Sequence, residues 1–330
     1  MSETPNIRKT PVAAEVKNLA VVIPAYKPDF LARALSSLEA QTVGGFSIYI
    51  GIDASPYDLE SIVAPFTARL PITCRRFAEN LGGSDLVAQW DRCLALTSGE
   101  QWVMLFSDDD ELEPQCVEQF LRTVRADTLR RGEPFDLYHF NVDVIGESSE
   151  LLRHSAPYPE VYEASRFLKD KCAARIEGYV VEYIFRREAF ERAGGFERFD
   201  LAWGSDTATW AKLARRSGMR TVPSAHVRWR QSSVNITPQT DNAKLCRKLK
   251  ADAQFLLWCR TNFSGITPAD THYYMFRLLF HYAPHLRRAD LAASVKPFYC
   301  QTFGGRLAYY LLSASFPFLR LAHDLRHRGR

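Results

Sequence analysis

The sequence predicts an α/β protein with a mostly parallel sheet flanked by helices and a helical extension at its C-terminal end. In the first third of the chain, short apolar runs alternate with segments of helical spacing, which is the pattern of successive strand and helix units. From residue 241 onward the composition shifts towards aromatic residues and arginine in helical segments. We expect a disordered tail over residues 1–17, a main domain over residues 18–240 and the extension over residues 241–330.

The individual elements follow from the spacing of apolar residues and from the turn residues between them. Strands are expected where short apolar runs stop at Pro, Asp or Asn, and helices where apolar side chains recur three and four residues apart. The expected elements are a strand at residues 19–23, a helix at 29–38, strands at 46–52 and 72–77, a helix at 84–96, a buried strand at 102–106, a strand at 136–144 and a surface loop at 147–159.

Bulk composition excludes several classes of protein. A net charge of +4 over 330 residues is too small to indicate nucleic-acid binding. Seven scattered cysteines without a CxxC pair indicate a reducing cytosol and argue against a zinc site. The polar N-terminus lacks the apolar core of a signal peptide, and no apolar run reaches the about 18 residues of a membrane-spanning helix.

Polar and aromatic residues follow the ends of successive predicted strands. Tyr26, Asp53 and Asn80 each come after a strand, and an aspartate cluster comes after the strand at residues 102–106. In a parallel sheet, ligands bind beyond the carboxyl ends of the strands, so we expect these side chains to converge on one edge. Taken singly, Asp53 and Asn80 have the alternative of ordinary turn chemistry.

The aspartate cluster consists of Asp108, Asp109 and Asp110. Three like charges at the mouth of a buried strand repel one another and resist desolvation, unless water or a cation neutralises them. A hard divalent cation with oxygen ligands is one neutraliser. The alternative is a solvated acidic turn that caps the helix expected after Pro114.

These segments together resemble the family 2 glycosyltransferases, which have the nucleotide-sugar-binding GT-A fold. The resemblance covers about residues 18 to 235 and rests on VVIPAYKPDFLARALSSLEAQT, IYIGIDASPYD, ENLGG and SGEQWVMLFSDDDELEP. It implies an enzyme that uses a nucleotide-sugar donor and a divalent cation, Mg²⁺ or Mn²⁺. The residues that it assigns to the donor are Pro24, Ala25 and Tyr26 at the nucleotide-binding turn, Asp53 at the base, Asn80 and Gly82 of ENLGG, and Asp108 near the ribose.

The resemblance also identifies the metal ligands within the DXD motif. Asp109 stands where the family binds its metal, and Asp110 is a second ligand or orients the first. Gln231 stands near the position of a histidine that can help to hold the metal in the family, while the histidine of this segment, His226, lies upstream. Arg228 and Arg230 are therefore expected to bind the diphosphate, for which a guanidinium group is suited.

The acceptor side is predicted around the start of a helix after a Gly-Gly-Phe turn. On general grounds Asp206 would cap this helix, but it stands where the family has the general base that activates the acceptor. Ser205 replaces the usual glutamate beside that base. Trp203 would stack on an acceptor sugar, with a core tryptophan as the alternative.

The expected function is inverting hexosyl transfer to a saccharide or lipid-linked saccharide in bacterial surface-glycan assembly. We expect UDP as the nucleotide, with GDP or dTDP as alternatives, and a cytoplasmic location. The basic aromatic helices after residue 241 would either lie on the inner face of the cytoplasmic membrane, as a peripheral contact in polysaccharide biosynthesis at the cell envelope, or cap the core. The alternative function is a nucleotide-sugar-binding protein without turnover, since Ser205 and Gln231 depart from the family pattern.

Overall fold

The computed structural model describes residues 18–232, 241–301, 305–311 and 314–316. Its ten strands are β1 (Leu19–Ala25), β2 (Phe46–Ile52), β3 (Ile72–Arg76), β4 (Trp102–Leu105), β5 (Glu111–Leu112), β6 (Leu137–Ile145), β7 (Leu151–His154), β8 (Val161–Tyr162), β9 (Tyr183–Arg186) and β10 (Met219–Arg230). The labelled helices are α1 (Leu31–Glu39), α2 (Leu59–Val63), α3 (Leu86–Leu94), α4 (Cys116–Arg131), α5 (Ala164–Cys172), α6 (Arg187–Arg192), α7 (Ser205–Ala214), α8 (Asn242–Asn262), α9 (Pro268–Tyr282) and α10 (Arg288–Tyr299).

The strands form one sheet in the order β3-β2-β1-β4-β9-β6-β10-β5. The pairs β3–β2, β2–β1, β1–β4 and β6–β10 are parallel, whereas β9 runs antiparallel between β4 and β6. As a result β1, β2, β3, β4, β6 and β10 point in one direction. This arrangement confirms the predicted α/β class and the mostly parallel sheet.

Both faces of the sheet are covered, as expected for a sheet of this kind. On one face Val21 and Met104 pack with Leu35 of α1 and Phe120 of α4. On the other face a second apolar cluster includes Val22, Leu105 and Phe185 of the sheet. The helical side chains of this second cluster include Trp90 of α3, Phe167 of α5 and Trp210 of α7.

The C-terminal helices share the second cluster. Leu249 of α8, Met275 of α9 and Val295 of α10 are fully buried in the same apolar cluster as Trp210. The three helices between residues 242 and 299 are therefore packed on the core. The predicted tail at residues 1–17 and the end of the predicted main domain, at residues 233–240, lie outside the described residues. Among the helices that are described, none combines the length and the apolar character needed to cross a membrane.

Strands β7 and β10 do not follow from the spacing of apolar residues in the sequence. Residues 147–159 were expected as a loop, but Leu151–His154 pairs with β6 as β7. All four residues of β7 are exposed, so the strand carries no alternation of polar and apolar side chains. The long strand β10 is interrupted by a register shift between Val222 and His226, with Ser224 at φ 62°, which obscures its period in the sequence.

Candidate functional site

The carboxyl ends of β1, β2 and β4 meet at one edge of the sheet. The backbone N–H of Tyr26 donates to Asp108 Oδ2 at 2.7 Å, and the N–H of Lys27 donates to the same oxygen at 3.1 Å. The N–H of Asp53 donates to the carbonyl of Ala25 at 2.9 Å. The structure therefore brings the predicted nucleotide-binding turn, Asp53 and the aspartate cluster together, because parallel strands end at the same edge. Pro24 precedes this turn within β1, and the Tyr26 ring is 40% exposed beside it.

Asp53 holds the loop that carries Asn80 and Gly82. Its carboxylate accepts hydrogen bonds from the N–H groups of Leu81 and Gly82, both at 2.8 Å, and from Arg92. The Asn80 amide donates to the Asp53 carbonyl at 3.1 Å. A Cβ atom at Gly82 would lie 2.6 Å from Asp53 Oδ2, so this close approach requires glycine. These contacts are turn chemistry, and the contact of Asp53 with a base stays a prediction.

The ionised forms of the three aspartates are destabilised by burial and by their mutual repulsion. Burial raises the pKa of Asp108, although the amides of Tyr26 and Lys27 oppose the shift. Burial and the neighbouring charge of Asp108 raise the pKa of Asp109 to about 7. Burial and the charge of Asp109 raise the pKa of Asp110 well above its ordinary value. Like charges held together in a poorly solvated site favour protonation unless a cation is present.

One oxygen of this cluster lacks a partner. Asp110 is 1% exposed, and its Oδ1 atom accepts the backbone N–H of Arg230 at 2.7 Å. Its Oδ2 atom has no hydrogen-bond partner among the residues that the structure describes. A buried carboxylate oxygen without a partner is costly, and hard divalent cations take such oxygens as ligands. The residues present therefore fit a divalent cation held by Asp109 and Asp110, with Asp108 committed to the turn after β1.

Hydrogen bonds of Arg228 and Arg230 connect the β6–β7 turn to the end of the aspartate cluster. The Arg230 guanidinium is completely buried, and it donates to the carbonyls of Asp109 at 2.7 Å and Gly146 at 2.6 Å. Both arginines pair with the carboxylate of Glu111, Arg228 at 2.6 Å. The described contacts thus give these guanidinium groups a structural role, and their binding of a diphosphate stays a prediction.

Sequence reasoning did not single out Glu111 as part of this arrangement. Glu111 is buried between the two arginines, and the hydroxyl of Ser149 donates to it from the β6–β7 turn. The signal in the sequence was a fourth acidic residue directly after the three aspartates, but the two arginines that pair with it lie 117 and 119 residues further along the chain. Without the tertiary pairing, that fourth charge could not be distinguished from an exposed one.

Asp206 lies in the first turn of α7. Gly204, with φ 86°, occupies the N-cap position, so the N-cap alternative for Asp206 is wrong. Burial raises the pKa of Asp206, while the nearby Lys171 ammonium opposes the shift. The fully buried Glu182 carboxyl lies close enough for its charge to interact with that of Asp206. A carboxylate whose pKa is raised in this way is better matched to proton abstraction than a solvated one.

Ser205 and Trp203 are held by neighbouring parts of the chain. Ser205 is fully buried, and its Oγ atom accepts the N–H of Phe199 at 2.9 Å. The indole N–H of Trp203 donates to Asp252 Oδ1 of α8 at 2.9 Å, and Lys248 Nζ lies 4.5 Å from the centre of the Trp203 ring. Ser205 therefore points into the protein, and Trp203 joins the start of α7 to the C-terminal helices. Their contact with an acceptor stays a prediction.

The amino-acid sequence decides the family of the chain. Residues 20–191, more than half of the chain, match the family model described as Glycosyl transferase family 2. The chain belongs to glycosyl transferase family 2. No curated protein matches this glycosyltransferase at a significant level. The family membership confirms the resemblance that the strand-end motifs indicated.

Solved structures of similar fold cover nearly the whole of this glycosyltransferase. S. aureus TarS 1-349 has a TM-score of 0.63 at 11% identity, covering 95% of this chain and 92% of that one. Its complex with UDP-GlcNAc has a TM-score of 0.57 at 14% identity, with the same coverage of 95% and 92%. The Pyrobaculum calidifontis mannosyltransferase PcManGT, in complex with GDP-Man and Mn²⁺, has a TM-score of 0.50 at 16% identity, covering 97% and 90%. At these identities the likeness shows the fold, which is of the GT-A type.

Proposed function

We propose that this glycosyltransferase is an inverting enzyme that transfers a hexose from a nucleotide-diphosphate sugar to a hydroxyl group of a saccharide or lipid-linked saccharide. The observation that carries the proposal is the buried, unpartnered Oδ2 of Asp110 beside Asp109, at the same sheet edge as the turn after β1. Ligands of parallel sheets bind at this edge, and carboxylate oxygens are the ligands that hard divalent cations take.

On the donor side, the exposed ring of Tyr26 and the turn formed by Pro24 and Ala25 would hold the nucleotide. UDP is our first candidate and GDP or dTDP the alternatives, since structures of similar fold contain UDP-GlcNAc and GDP-Man. Asp109 and Asp110 would hold Mg²⁺ or Mn²⁺. When bound, the cation supplies positive charge to the diphosphate leaving group.

On the acceptor side, Asp206 would accept the proton of the attacking hydroxyl group. The acceptor oxygen attacks the anomeric carbon from the face opposite the diphosphate, so the bond to the new oxygen forms as the bond to the diphosphate breaks. Asp206 lies in the first turn of α7, where the positive end of the helix dipole favours the ionised carboxylate, the form that can accept a proton. Burial raises its pKa, which strengthens it as a base relative to a solvated aspartate.

The setting that we propose is surface-glycan assembly on a membrane-bound acceptor, with peripheral contact through the C-terminal helices. Several large apolar side chains of this region are exposed, namely Tyr273, Phe276, Leu307, Tyr310 and Leu311. Basic residues accompany them in the sequence, which suits anionic lipid. The full chain should co-sediment with anionic vesicles, and Leu311→Asp should reduce this. Leu129→Asp, at an exposed leucine of α4, is the matched control.

The experiment that tests the proposed function is calorimetric titration with UDP, GDP and dTDP, each with Mn²⁺, with Mg²⁺ and with EDTA. We expect one nucleotide to bind in a metal-dependent manner, and we expect Asp109→Ala to lose this metal-dependent binding. Asp290→Ala, which removes a carboxylate from the remote helix α10, should bind like the wild type. No metal-dependent binding to any nucleotide would refute the donor site. Binding without transfer or donor hydrolysis would favour a nucleotide-sugar-binding protein.

A further inference from the structure

Three neighbouring strands bring together a carboxylate and two imidazoles away from the aspartate cluster. Asp143 lies on β6, His154 on β7 and His226 on β10. His154 Nδ1 is 2.7 Å and His226 Nδ1 is 3.2 Å from the same oxygen, Asp143 Oδ1. The three candidate ligand atoms all lie within 4.8 Å of one another. This geometry comes from the pairing of the strands, because Asp143 is directly opposite His154.

This cluster is separate from the proposed donor site. It shares no residue with Asp109 and Asp110, which contact β10 through Arg230. His226 precedes Arg230 by four residues on the same strand, which corresponds to about 13 Å along an extended chain. A cation at the histidine cluster would therefore not be the one held by the aspartates.

We propose that Asp143, His154 and His226 form a second metal site, which binds Zn²⁺ or a similar first-row divalent cation. Imidazole nitrogen together with one carboxylate oxygen is a ligand set that such cations prefer. Bonds of about 2.1 Å in a tetrahedral site place the ligand atoms about 3.4 Å apart. The present separations of 2.7 and 3.2 Å from Asp143 Oδ1 need only small shifts of the two imidazole side chains to reach that value.

The exposure of the ligands suits an open metal site. The side chain of Asp143 is 10% exposed, whereas those of His226 and His154 are 35% and 66% exposed. The carboxylate is thus anchored in the protein, and the imidazoles face solvent, where water can fill the remaining coordination position. The proposal departs from the expectation that a zinc site is absent, because that expectation rested on the scattered cysteines and none of these three ligands is a cysteine.

A cation at this site would stabilise the hairpin of β6 and β7, which contacts the arginines beside the proposed donor site. It would join β6, β7 and β10, and the turn between β6 and β7 carries Gly146 and Ser149. Gly146 accepts a hydrogen bond from Arg230, and the Ser149 carbonyl accepts one from Arg228 at 2.6 Å. Asp143 lies three residues before Gly146, and His154 is the last residue of β7, so a cation bound there would hold this short hairpin in place without entering the donor site.

The test uses the full chain after removal of metal with a chelator, titrated with Zn²⁺ by calorimetry and with Co²⁺ by visible absorption. We expect one Zn²⁺ site whose affinity falls at least about tenfold in His154→Ala and in His226→Ala. His285→Ala, at an exposed histidine of the turn after α9, should bind Zn²⁺ like the wild type. Asp109→Ala should also retain this site, which separates the result from the fate of the proposed function.

Thermal unfolding of each variant without metal checks that it is folded. His154 is exposed, so its truncation leaves the core intact, and Asp143→Asn provides a second variant of nearly equal volume. We expect the Co²⁺ absorption of a low-coordinate site in the wild type and its loss in Asp143→Asn. Unchanged Zn²⁺ affinity in the His154→Ala/His226→Ala double variant, or no Zn²⁺ binding by the wild type, would overturn the proposal.

Discussion

The backbone N–H of Arg230 donates to Asp110 Oδ1 at 2.7 Å, which ties the end of the last strand of the sheet to the aspartate cluster. The guanidinium group of the same arginine donates to the carbonyl of Asp109 at 2.7 Å. The two proposed metal ligands are thus positioned by β10, a strand that begins more than 100 residues later in the chain. Their geometry depends on the completed sheet.

Arg230→Met should destabilise the protein strongly. The substitution leaves the buried carboxylate of Glu111 and the carbonyls of Asp109 and Gly146 without this donor. Removing one partner of a buried ion pair costs about 3–5 kcal/mol. Urea unfolding measures the loss. Arg228→Met removes the second, partly exposed partner of Glu111 and should lower the unfolding free energy clearly less. Equal losses for the two variants would show that burial of Arg230 does not account for its contribution.

Asp206→Asn should abolish most of the transfer reaction and leave donor binding intact. General base catalysis contributes about 10²–10⁴-fold, so kcat should fall by that factor. Initial rates with saturating donor and calorimetric donor binding check the two parts. Asp200→Asn, a nearby aspartate that pairs with Arg247, should retain wild-type turnover. Near-normal turnover of Asp206→Asn would rule out its role as the base.

Trp203→Phe removes the indole N–H but keeps an aromatic ring at this position. It removes one of the two hydrogen bonds to the Asp252 carboxyl, whose pKa burial raises to about 7. We expect a loss of about 1–3 kcal/mol in unfolding free energy and little change in the KM for acceptor. Trp203→Ala should also raise that KM if the ring stacks on the acceptor sugar.

The control for this series is Tyr282→Phe, which removes the other hydrogen bond to Asp252 without changing Trp203. It should lower the unfolding free energy and leave the KM for acceptor unchanged. A Trp203→Ala variant with a wild-type acceptor KM would restrict Trp203 to a structural role between α7 and α8.

The buried Glu182 carboxyl should make stability depend on pH. Burial raises its pKa to about 8 in the folded protein, against an ordinary value of 4.5. Between these values the folded state holds a proton that the unfolded state has lost, so this group lowers stability as pH rises from 4.5 to 8. The slope is at most about 1.4 kcal/mol per pH unit.

Glu182→Gln should remove that contribution, so its unfolding free energy should fall less between pH 5 and pH 8 than that of the wild type. Urea unfolding at several pH values measures the difference. Glu188→Gln, at an exposed carboxylate that pairs with Arg186 and Arg192, should behave like the wild type. Parallel pH profiles for Glu182→Gln and the wild type would contradict the buried protonated form.

Much of the donor edge could be predicted because it depends on order along the chain. Tyr26, Asp53 and Asp108 follow strands that pair in parallel, and the ends of such strands meet wherever the sheet forms. The family resemblance then supplied expected roles for these residues. The bonds of Asp53 to Leu81 and Gly82 were less predictable, because a carboxylate at a strand end can bind a ligand or a turn equally well.

The sequence by itself determined the α/β class, the strand-end positions and the helix that begins beside Asp206, since these follow from local spacing and turn residues. Only the tertiary structure decided that Arg230 is buried against Glu111 and that His154 faces Asp143. These contacts join residues on different strands, and β7 and β10 carry weak periodic signals because one is exposed and the other contains a register shift. Burial and partner choice depend on the whole sheet, and spacing along the chain does not encode them.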